Sequence, residues 1–495
     1  MRLLLCSVGL AVCPVLAVCQ RPLPVPASLS LADAIALARA NSPVYRQALN
    51  DRAPAAWAVR NAWSTMLIPS VSASGGIGYA GPGQQTFLTA NFSQSVSTLS
   101  SSYNVGLDWT LSGQTLTQPG LRKAQLSAAD ADVAGAETNL VTTVTTQYLT
   151  VLQARDNAEV ARQQLQHDEE FQKLAQARYD VGRASLIDVR QAQVARGQAE
   201  VALLRARTAV QVEKLRLFQF MGVTAPVDIA GIELTDTFSV QAPTWQLNDL
   251  LKMAEQQNPA LKALREREHS AAWGVRAATA SYGPSLSLSA GWSGFTQKLS
   301  DINPTIASAR ASAAADSATC AYANSAWLNT GSGQLPLDCT QYSFTTADEQ
   351  AIRSRNAAYP FNFTPEPFQA RLTVRIPLWG NFQQPLGVSQ AKAQQQDLQE
   401  SVRARGLQLE TDVSGAFLTL QTTHQAIAIQ DTSRTAAREQ LQLATERYRV
   451  GSGTFFELLD AQVAALRAET DYVNAVYDYH KALAALEAAV GRPLR

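Results

Sequence analysis

The sequence predicts a mainly α-helical protein with a β-barrel part, built from one unit of strands and long helices that occurs twice. The segment RYDVGRASLIDVRQAQVA, from position 178, returns as RYRVGSGTFFELLDAQVA, from position 447, with eight of eighteen positions identical. All 21 prolines avoid 120–225 and 386–492, which indicates two helical bodies because proline breaks helices. Stretches ahead of each body alternate apolar and polar residues, which is the period of a strand.

The amino-acid composition argues against nucleic acid as a partner and against a membrane-spanning helix. The 495 residues carry 41 basic and 41 acidic side chains, and 46% of them are hydrophobic. A chain without net charge has no general electrostatic attraction for polyanions, so we expect no nucleic-acid partner. After the N-terminal segment, no apolar run is long enough for a membrane helix, so we expect any membrane-embedded part to consist of strands.

The N-terminus has the layout of a secretory signal peptide, which we place at 1–19. Arg2 precedes an apolar run over 3–18, which is too short for a comfortable membrane span. Cleavage could follow Cys19, or Cys19 could be lipidated as the first mature residue, because LAVC resembles a bacterial lipobox. Cys320 and Cys339 are the cysteines left in the mature chain, and export predicts a disulfide between them; the alternative is two free thiols.

The two repeats set the domain organisation. AAWAVR at 55–60 and AAWGVR at 271–276 lie 216 positions apart, whereas Gly182 and Gly451 lie 269 apart, so the second repeat holds about 53 extra residues. We predict a first repeat over 20–222, a linker over 223–246 and a second repeat over 247–495. The predicted elements are strands at about 69–79, 102–112, 284–295 and 368–378, and helices at about 113–222 and 380–491.

The predicted strands have one apolar and one polar face. In one of them the apolar positions are Tyr103, Val105, Leu107, Trp109 and Leu111. One interpretation is a soluble sheet with one buried face; the other is a transmembrane barrel, which tryptophans near the strand ends favour. Four strands cannot close a barrel, so we expect the chain to oligomerise. The residues at about 297–367, between the last two strands, are predicted to form an extracellular loop.

Together, the signal peptide, the duplication, the paired strands and the long helices with glycine turns resemble the TolC family of outer-membrane efflux proteins over about 30–491. The most specific elements are the NSP and NP helix starts at 41 and 258 and the two YxVG…AQ turns. The resemblance implies a homotrimer with a twelve-stranded β-barrel in outer-membrane lipid and a twelve-helix α-barrel through the periplasm. It implies the exit duct of a tripartite efflux or type I secretion system, whose other members are a periplasmic adaptor (membrane fusion protein) and an inner-membrane pump of RND, ABC or MFS type.

The same resemblance assigns a role to the two turns that interrupt the helical bodies. Each body is predicted as a long helix, a tight turn and a shorter helix, because glycine interrupts it once. The residues implied to touch the adaptor are Val181, Gly182, Val450 and Gly451. Glycine suits a turn that needs positive φ and a close backbone approach.

Acidic residues after each turn form the implied periplasmic gate. Glu457 and Asp460 lie three apart on one helical face, and Asp188 occupies the first turn's helix. In a trimer these carboxylates would surround the tunnel mouth and favour cations. The alternative is an ordinary helix start, where acidic residues are stabilising in any case. Some relatives have an arginine in the turn where this chain has Gly453.

Signals for other functions are weak. GIGYAG at 76–81 matches GxGxxG, but Pro82 and Gly83 follow it instead of a helix, so we expect no nucleotide site. The four histidines lack ligand spacing and no nucleophile motif is present, so we predict no metal, no cofactor and no enzyme activity. Two other classes stay open, a periplasmic adaptor with helical hairpins and a structural or adhesive coiled-coil trimer.

Overall fold

The computed structural model describes residues 28–87, 90–94, 96–330 and 336–494. The predicted signal peptide, with Cys19, lies outside these residues. The described chain divides into two compact units. The first comprises the residues up to Trp57, Arg122–Ala272 and the residues from Lys392 onward, and the second comprises Ala58–Leu121 and Trp273–Ala391.

Helices form most of the described chain. They are α1 (Leu31–Asn41), α2 (Pro43–Leu67), α3 (Gly113–Asp180), α4 (Leu186–Met221), α5 (Leu247–Gln257), α6 (Pro259–Thr279), α7 (Asn303–Thr330), α8 (Thr346–Ala357), α9 (Gln383–Val450) and α10 (Phe455–Val490). None of these described helices combines the length and the apolar character needed to cross a membrane.

The long helices come in two matching pairs. Helices α3 and α9 have 68 residues each, and α4 and α10 have 36 each. At 1.5 Å per residue, each of the longest helices extends on the order of 100 Å. The equal lengths follow from the duplication, because a residue of α3 or α4 has its equivalent 269 positions later in α9 or α10.

Two apolar cores form on equivalent faces of α3 and α9. In the first repeat, α3 contributes Leu140, Val144 and Tyr148. In the second repeat the equivalent residues of α9 do the same, and these are Leu409, Val413 and Phe417. A spacing of four residues keeps these side chains on one helical face. The two repeats therefore bury equivalent positions.

The helix starts NSP and NP pack against left-handed glycines. Gly222 follows α4 with a φ of +70°, and Gly491 follows α10 with a φ of +88°. A Cβ at Gly222 would lie 2.6 Å from the carbonyl oxygen of Asn41, and one at Gly491 would lie 3.0 Å from the Cα of Asn258. Glycine is needed at both positions, because the backbone conformation and the close approach each disfavour a side chain.

The main sheet is antiparallel. The described strands are β1 (Ser28–Leu29), β2 (Ser70–Ala80), β3 (Gly83–Phe87), β4 (Ala90–Gln94), β5 (Thr98–Ser112), β6 (Glu233–Leu234), β7 (Ser285–Leu299), β8 (Thr364–Pro365) and β9 (Gln369–Arg375). Strands β2, β5, β7 and β9 pair in that order, and β8 also pairs with β7. Strand β1 pairs with β6 in parallel, and β3 and β4 form a hairpin.

The register of the main sheet agrees with the predicted alternation. Trp109, Leu288 and Leu372 are neighbours across β5, β7 and β9. One residue away along each strand, the neighbours are polar, and they are Asp108, Ser289 and Arg371. Because side chains alternate across a strand, the sheet has one apolar and one polar face.

The strand ends differ from the predicted ones. Strand β5 begins at Thr98 instead of about 102, and β7 continues to Leu299, because these two strands pair along their whole length. Strand β9 ends at Arg375 rather than near 378, since Pro377 lacks the backbone N–H that the ladder needs. The hairpin of β3 and β4 is an addition to the predicted elements.

The segment predicted as a loop, 297–367, contains two helices. Helix α7 is rich in alanine, the best helix former, and α8 is capped by Thr345. Arg310 of α7 and Glu349 of α8 form an ion pair with a 3.0 Å separation between Nη2 and Oε2. Cys320 and Cys339 form a disulfide, with their Cα atoms 5.7 Å apart. The extra residues of the second repeat therefore include two helices joined by an ion pair, and a disulfide that ties α7 to the segment before α8.

Candidate functional site

Two turns between helices hold the residues that the sequence singles out. Gly182 and Gly451 have φ of +68° and +89°, in the left-handed region that glycine adopts without strain. The Gly182 N–H donates to the Tyr179 carbonyl oxygen at 2.9 Å, and the Gly451 N–H donates to the Tyr448 carbonyl oxygen at 3.1 Å. The next N–H in each turn donates to the carbonyl oxygen of an arginine one residue further back. The duplicated sequence therefore forms the same backbone turn twice.

Both turns present a valine to solvent. Val181 and Val450 are exposed, at 68% and 75% respectively. In the second turn, a Cβ at Gly453 would lie 3.0 Å from the Cβ of Arg447, so this position leaves little room for a side chain. Neither valine is therefore held by packing within the chain.

The acidic residues after the turns have different surroundings. The Asp188 carboxylate accepts the Ser185 N–H at 3.1 Å, so it caps its own helix. Helix α10 is instead capped by Thr454, whose hydroxyl accepts the Glu457 N–H at 3.2 Å. The Glu457 carboxylate lies 3.6 Å from the Arg447 guanidinium, and Asp460 is exposed one helical turn further on. The alternative interpretation, an ordinary acidic residue at a helix start, therefore fits Asp188 better than Glu457.

The two turns belong to one packed region, which we call the tip cluster. Its buried members come from the ends of α3 and α9 and the starts of α4 and α10, and they are Phe171, Ala175, Val189, Ala192, Tyr448, Phe455 and Leu458. Side chains of the first and second repeats therefore share one apolar core at the turns. A movement of one turn that separates the repeats has to expose this core.

Arg178 of the first turn contacts Tyr448 of the second. Its guanidinium carbon lies 4.4 Å from the centre of the Tyr448 ring, and its Nη2 donates to the Arg183 carbonyl oxygen at 3.2 Å. Burial raises the pKa of the Tyr448 hydroxyl, the negative charge of Asp188 adds to the rise, and Arg178 opposes it. The stacked arginine joins the two repeats, and such contacts contribute on the order of 1 kcal/mol.

A second link between the repeats lies further from the turns. The Asp168 carboxylate of α3 accepts a hydrogen bond from the Gln462 amide of α10 at 3.2 Å and another from Gln164 at 3.1 Å. Asp168 is 5% exposed and Gln462 is 3% exposed. Both side chains border a groove whose other described lining residues, from α3, α4 and α10, are uncharged.

The sequence points to the turns but not to these links. The signal that points to Arg178 and Tyr448 is the dipeptide RY, which precedes both turns. Asp168 has no such signal, because its equivalent in α9 is Ala437. Among the described residues, no group of three His, Cys, Asp or Glu side chains is placed to hold a metal ion.

Comparison with known proteins yields one family and a set of shared folds. The family model described as outer membrane efflux protein matches residues 34–223 and 343–492. The outer-membrane channel OprN is 16% identical with a TM-score of 0.68, covering 93% of this chain and 89% of that one. VceC of Vibrio cholerae is 18% identical with a TM-score of 0.67, covering 94% and 97%. The open state of MtrE from Neisseria gonorrhoeae is 20% identical with a TM-score of 0.65, covering 94% and 89%.

Proposed function

The chain belongs to the outer membrane efflux protein family, and we propose that it is the trimeric exit duct of a tripartite exporter. In this proposal the protein catalyses no reaction. Cargo enters at the turns, passes between the long helices and leaves through a barrel in the outer membrane. An inner-membrane pump supplies the energy, and a periplasmic adaptor connects the pump to the duct.

The observation that carries the proposal is an open sheet with an apolar face. Among the described strands, β2 and β9 each pair on one side only, so each has an edge of unsatisfied backbone groups. In lipid such edges are too costly to remain, and four strands are too few to close on themselves. Pairing β9 of one copy with β2 of the next would close a barrel of twelve strands from three copies. Exposed apolar residues such as Val71 and Leu372 would then face lipid.

The gate is proposed at the turns. Three copies of Glu457 and Asp460 would place about six carboxylates at one mouth, where they favour cations and repel anions. Arg447 is close enough to Glu457 to hold its side chain, since the two charged groups lie 3.6 Å apart. In the closed state the tip cluster keeps the two repeats together, and opening separates them.

The adaptor is proposed to bind the turns. Val181 with Gly182 and Val450 with Gly451 have the same backbone geometry, so a trimer presents six similar turns. A ring of six adaptor hairpins could then make equivalent contacts with each turn. The exposed valines supply the apolar part of that contact.

The test is the single-channel conductance of purified protein in planar bilayers, with a trivalent cation added on the side of the turns. We expect a small cation-selective conductance that the trivalent ion blocks. Glu457→Ala/Asp460→Ala should lose both the selectivity and the block. The matched control, Glu439→Ala/Asp471→Ala, removes two carboxylates as well, one from α9 and one from α10 and both away from the turn, and should behave as wild type.

Three outcomes would count against the proposal or against its gate. If protein that is stably reconstituted remains silent, even when Arg178→Ala loosens the tip cluster, the strands do not form a pore. If the control pair abolishes block as completely as the tip pair, the gate is not at Glu457 and Asp460. A protein that runs as a monomer in detergent and never shows heat-modifiable mobility would point to an adaptor or an adhesin instead.

A further inference from the structure

The groove that Asp168 and Gln462 border plays no part in the proposed duct, and we call it the Asp168 groove. Its volume is about 450 Å³, which lies within the range of small-molecule sites. Helices α3, α4 and α10 of one chain form its walls. Much of the lining is apolar and includes Val160, Ala199, Leu459 and Leu466.

The Asp168 groove contains a negative charge without a matching positive one. Among the described lining residues, Asp168 carries the only charge. Arg196 of α4 pairs with Glu169 instead, with 3.7 Å between its Nε and the carboxylate Oε1. Because a buried charge is costly unless it is paired, a positive group in the groove would be favoured.

The Asp168 carboxylate also has unused capacity for hydrogen bonds. The Gln164 amide donates to both carboxylate oxygens at 3.1 Å, and the Gln462 amide donates to Oδ1 at 3.2 Å. An ionised carboxylate offers about four acceptor positions, and these two amide donors are neutral. A further donor can therefore bind the same carboxylate, and a charged donor would bind it more strongly.

A second acceptor in the groove lacks a donor. The Asn157 side-chain oxygen is buried and accepts no hydrogen bond from the described residues, while the Asn157 amide donates to Asn474 at 3.2 Å. Asn157 lies about 16 Å from Asp168 along α3, at 1.5 Å per residue, and it also lines the groove. A buried acceptor without a donor is costly, so both acceptors select for a ligand that donates hydrogen bonds.

An ammonium group meets these requirements. It has three donors, no acceptor and a positive charge, whereas an alcohol lacks the charge and a carboxylate would be repelled. An apolar body attached to the ammonium would remove the apolar lining from water. We propose that the Asp168 groove binds an organic monocation, with its ammonium on the Asp168 carboxylate and its apolar body against α3, α4 and α10.

This site goes beyond the proposed function and needs neither the trimer nor the pore, because one chain supplies the whole lining. The ligand would contact α3 of the first repeat and α10 of the second. A ligand that binds only the packed helices stabilises them, so it would hold the two repeats together.

The test is equilibrium dialysis of the full-length protein in detergent against tryptamine at neutral pH. Tryptamine joins an ammonium to an indole ring, tryptophol is its neutral counterpart and indolepropionate is an anion of similar shape. We expect saturable binding of tryptamine at one site per chain. Tryptophol and indolepropionate should bind about tenfold more weakly or less, because they lack the charged donor.

Two substitutions of neighbouring acids test the role of the charge. Asp168→Asn should weaken tryptamine about tenfold or more and abolish the preference over tryptophol. The matched control Glu169→Gln removes a carboxylate that does not line the groove and should bind tryptamine as wild type does. Tryptamine should raise the melting temperature of wild type and Glu169→Gln but not that of Asp168→Asn, as followed by circular dichroism.

A second pair of substitutions tests the groove by its volume. Ala202 of α4 is exposed and lines the groove, so Ala202→Phe should fill it and weaken tryptamine without disturbing the core. Ala209 is also exposed, lies about two helical turns further along α4 and does not line the groove. Ala209→Phe should therefore bind tryptamine as wild type does.

The outcomes separate this inference from the proposed function. If tryptamine and tryptophol bind equally well, or Asp168→Asn binds tryptamine as wild type does, the carboxylate does not recognise a cation and the site is wrong. If no probe binds and Ala202→Phe lowers the fraction of oligomer, the groove is a contact between copies instead. Neither result bears on conduction through the duct, which the bilayer recordings test independently.

Discussion

Asp168 has a buried carboxylate, and burial is costly for a charged group. It is buried between α3 and α10, and its carboxylate accepts hydrogen bonds from Gln164 and Gln462. Burial raises the pKa of the Asp168 carboxyl above its ordinary value, and the two amide donors and the neighbouring His167 oppose that rise. The charged form therefore carries a desolvation cost in the packed state that it loses when the helices separate.

We expect Asp168→Asn to stabilise the packed helices at neutral and higher pH. The variant keeps a side chain of the same shape with an acceptor oxygen, but it removes the charge. A pKa that is raised in the packed state means that stability is greatest below the ordinary aspartate pKa of about 4 and falls as pH rises through the raised value. The melting temperature of the variant, followed by circular dichroism, should exceed that of wild type at about pH 8 and equal it at about pH 4.

A second substitution tests whether the pH dependence comes from the charge at this site. Gln164→Glu would add a second carboxylate beside the first and should steepen the loss of stability with rising pH. A melting temperature of Asp168→Asn below wild type at every pH would mean that the amide donors hold the ionised carboxylate strongly enough to outweigh its burial.

At the scale of elements, the two turns show how short sequences set the geometry of the four helices α3, α4, α9 and α10. Each turn needs one left-handed residue, and glycine supplies it at Gly182 and Gly451. The helices on either side then run back along each other and bury the tip cluster. Local backbone preference and apolar packing therefore act at the same place.

Alanine substitutions at two glycines, one before α4 and one inside it, should change the stability of the protein in opposite directions. Gly182→Ala should destabilise the protein by about 1 kcal/mol, because a Cβ disfavours the left-handed conformation although nothing lies within 4 Å to clash with it. Gly197→Ala lies inside α4 in open space and should stabilise it by up to about 1 kcal/mol. Denaturant unfolding followed at 222 nm measures both. Equal shifts in the same direction would show that the turn is not held in the left-handed conformation.

At the scale of the whole molecule, the faces of the sheet decide which solvent each residue meets. Val374 lies opposite Leu286 and Thr373 lies opposite Ser287, so the two neighbours in β9 point to different faces. Under the proposed function the first face meets lipid and the second meets the water-filled interior. Adjacent residues should then tolerate charge very differently.

We expect Val374→Arg to reduce the amount of heat-modifiable protein in the outer membrane, since an arginine facing lipid near the middle of the bilayer costs about 2–4 kcal/mol. Thr373→Arg, one residue away, should insert and assemble as wild type does. The measurement is the fraction of each variant in outer-membrane extracts that changes gel mobility on heating. Equal insertion of both variants would contradict a lipid-facing Val374.

The sequence by itself determined the features that depend on local chemistry. The absence of proline predicted the long helices, alternation predicted the main strands, and glycine predicted the turns. The single interruption of each proline-free run predicted a long helix, a turn and a shorter helix in both repeats, as in α3 with α4 and α9 with α10. These features could be read from the chain because each depends on residues close together in sequence or on a comparison of one segment with its copy.

Only the tertiary structure decided which of two equivalent positions is buried and which side chains of the two repeats contact each other. The stacking of Arg178 on Tyr448 and the hydrogen bond between Gln462 and Asp168 join residues roughly 270 to 294 positions apart. Leu149 and Leu418 occupy equivalent positions in sequence, yet one is buried and the other is exposed. Local pattern cannot separate them, because burial depends on which helix packs across the face, and that is settled only when the whole chain has folded.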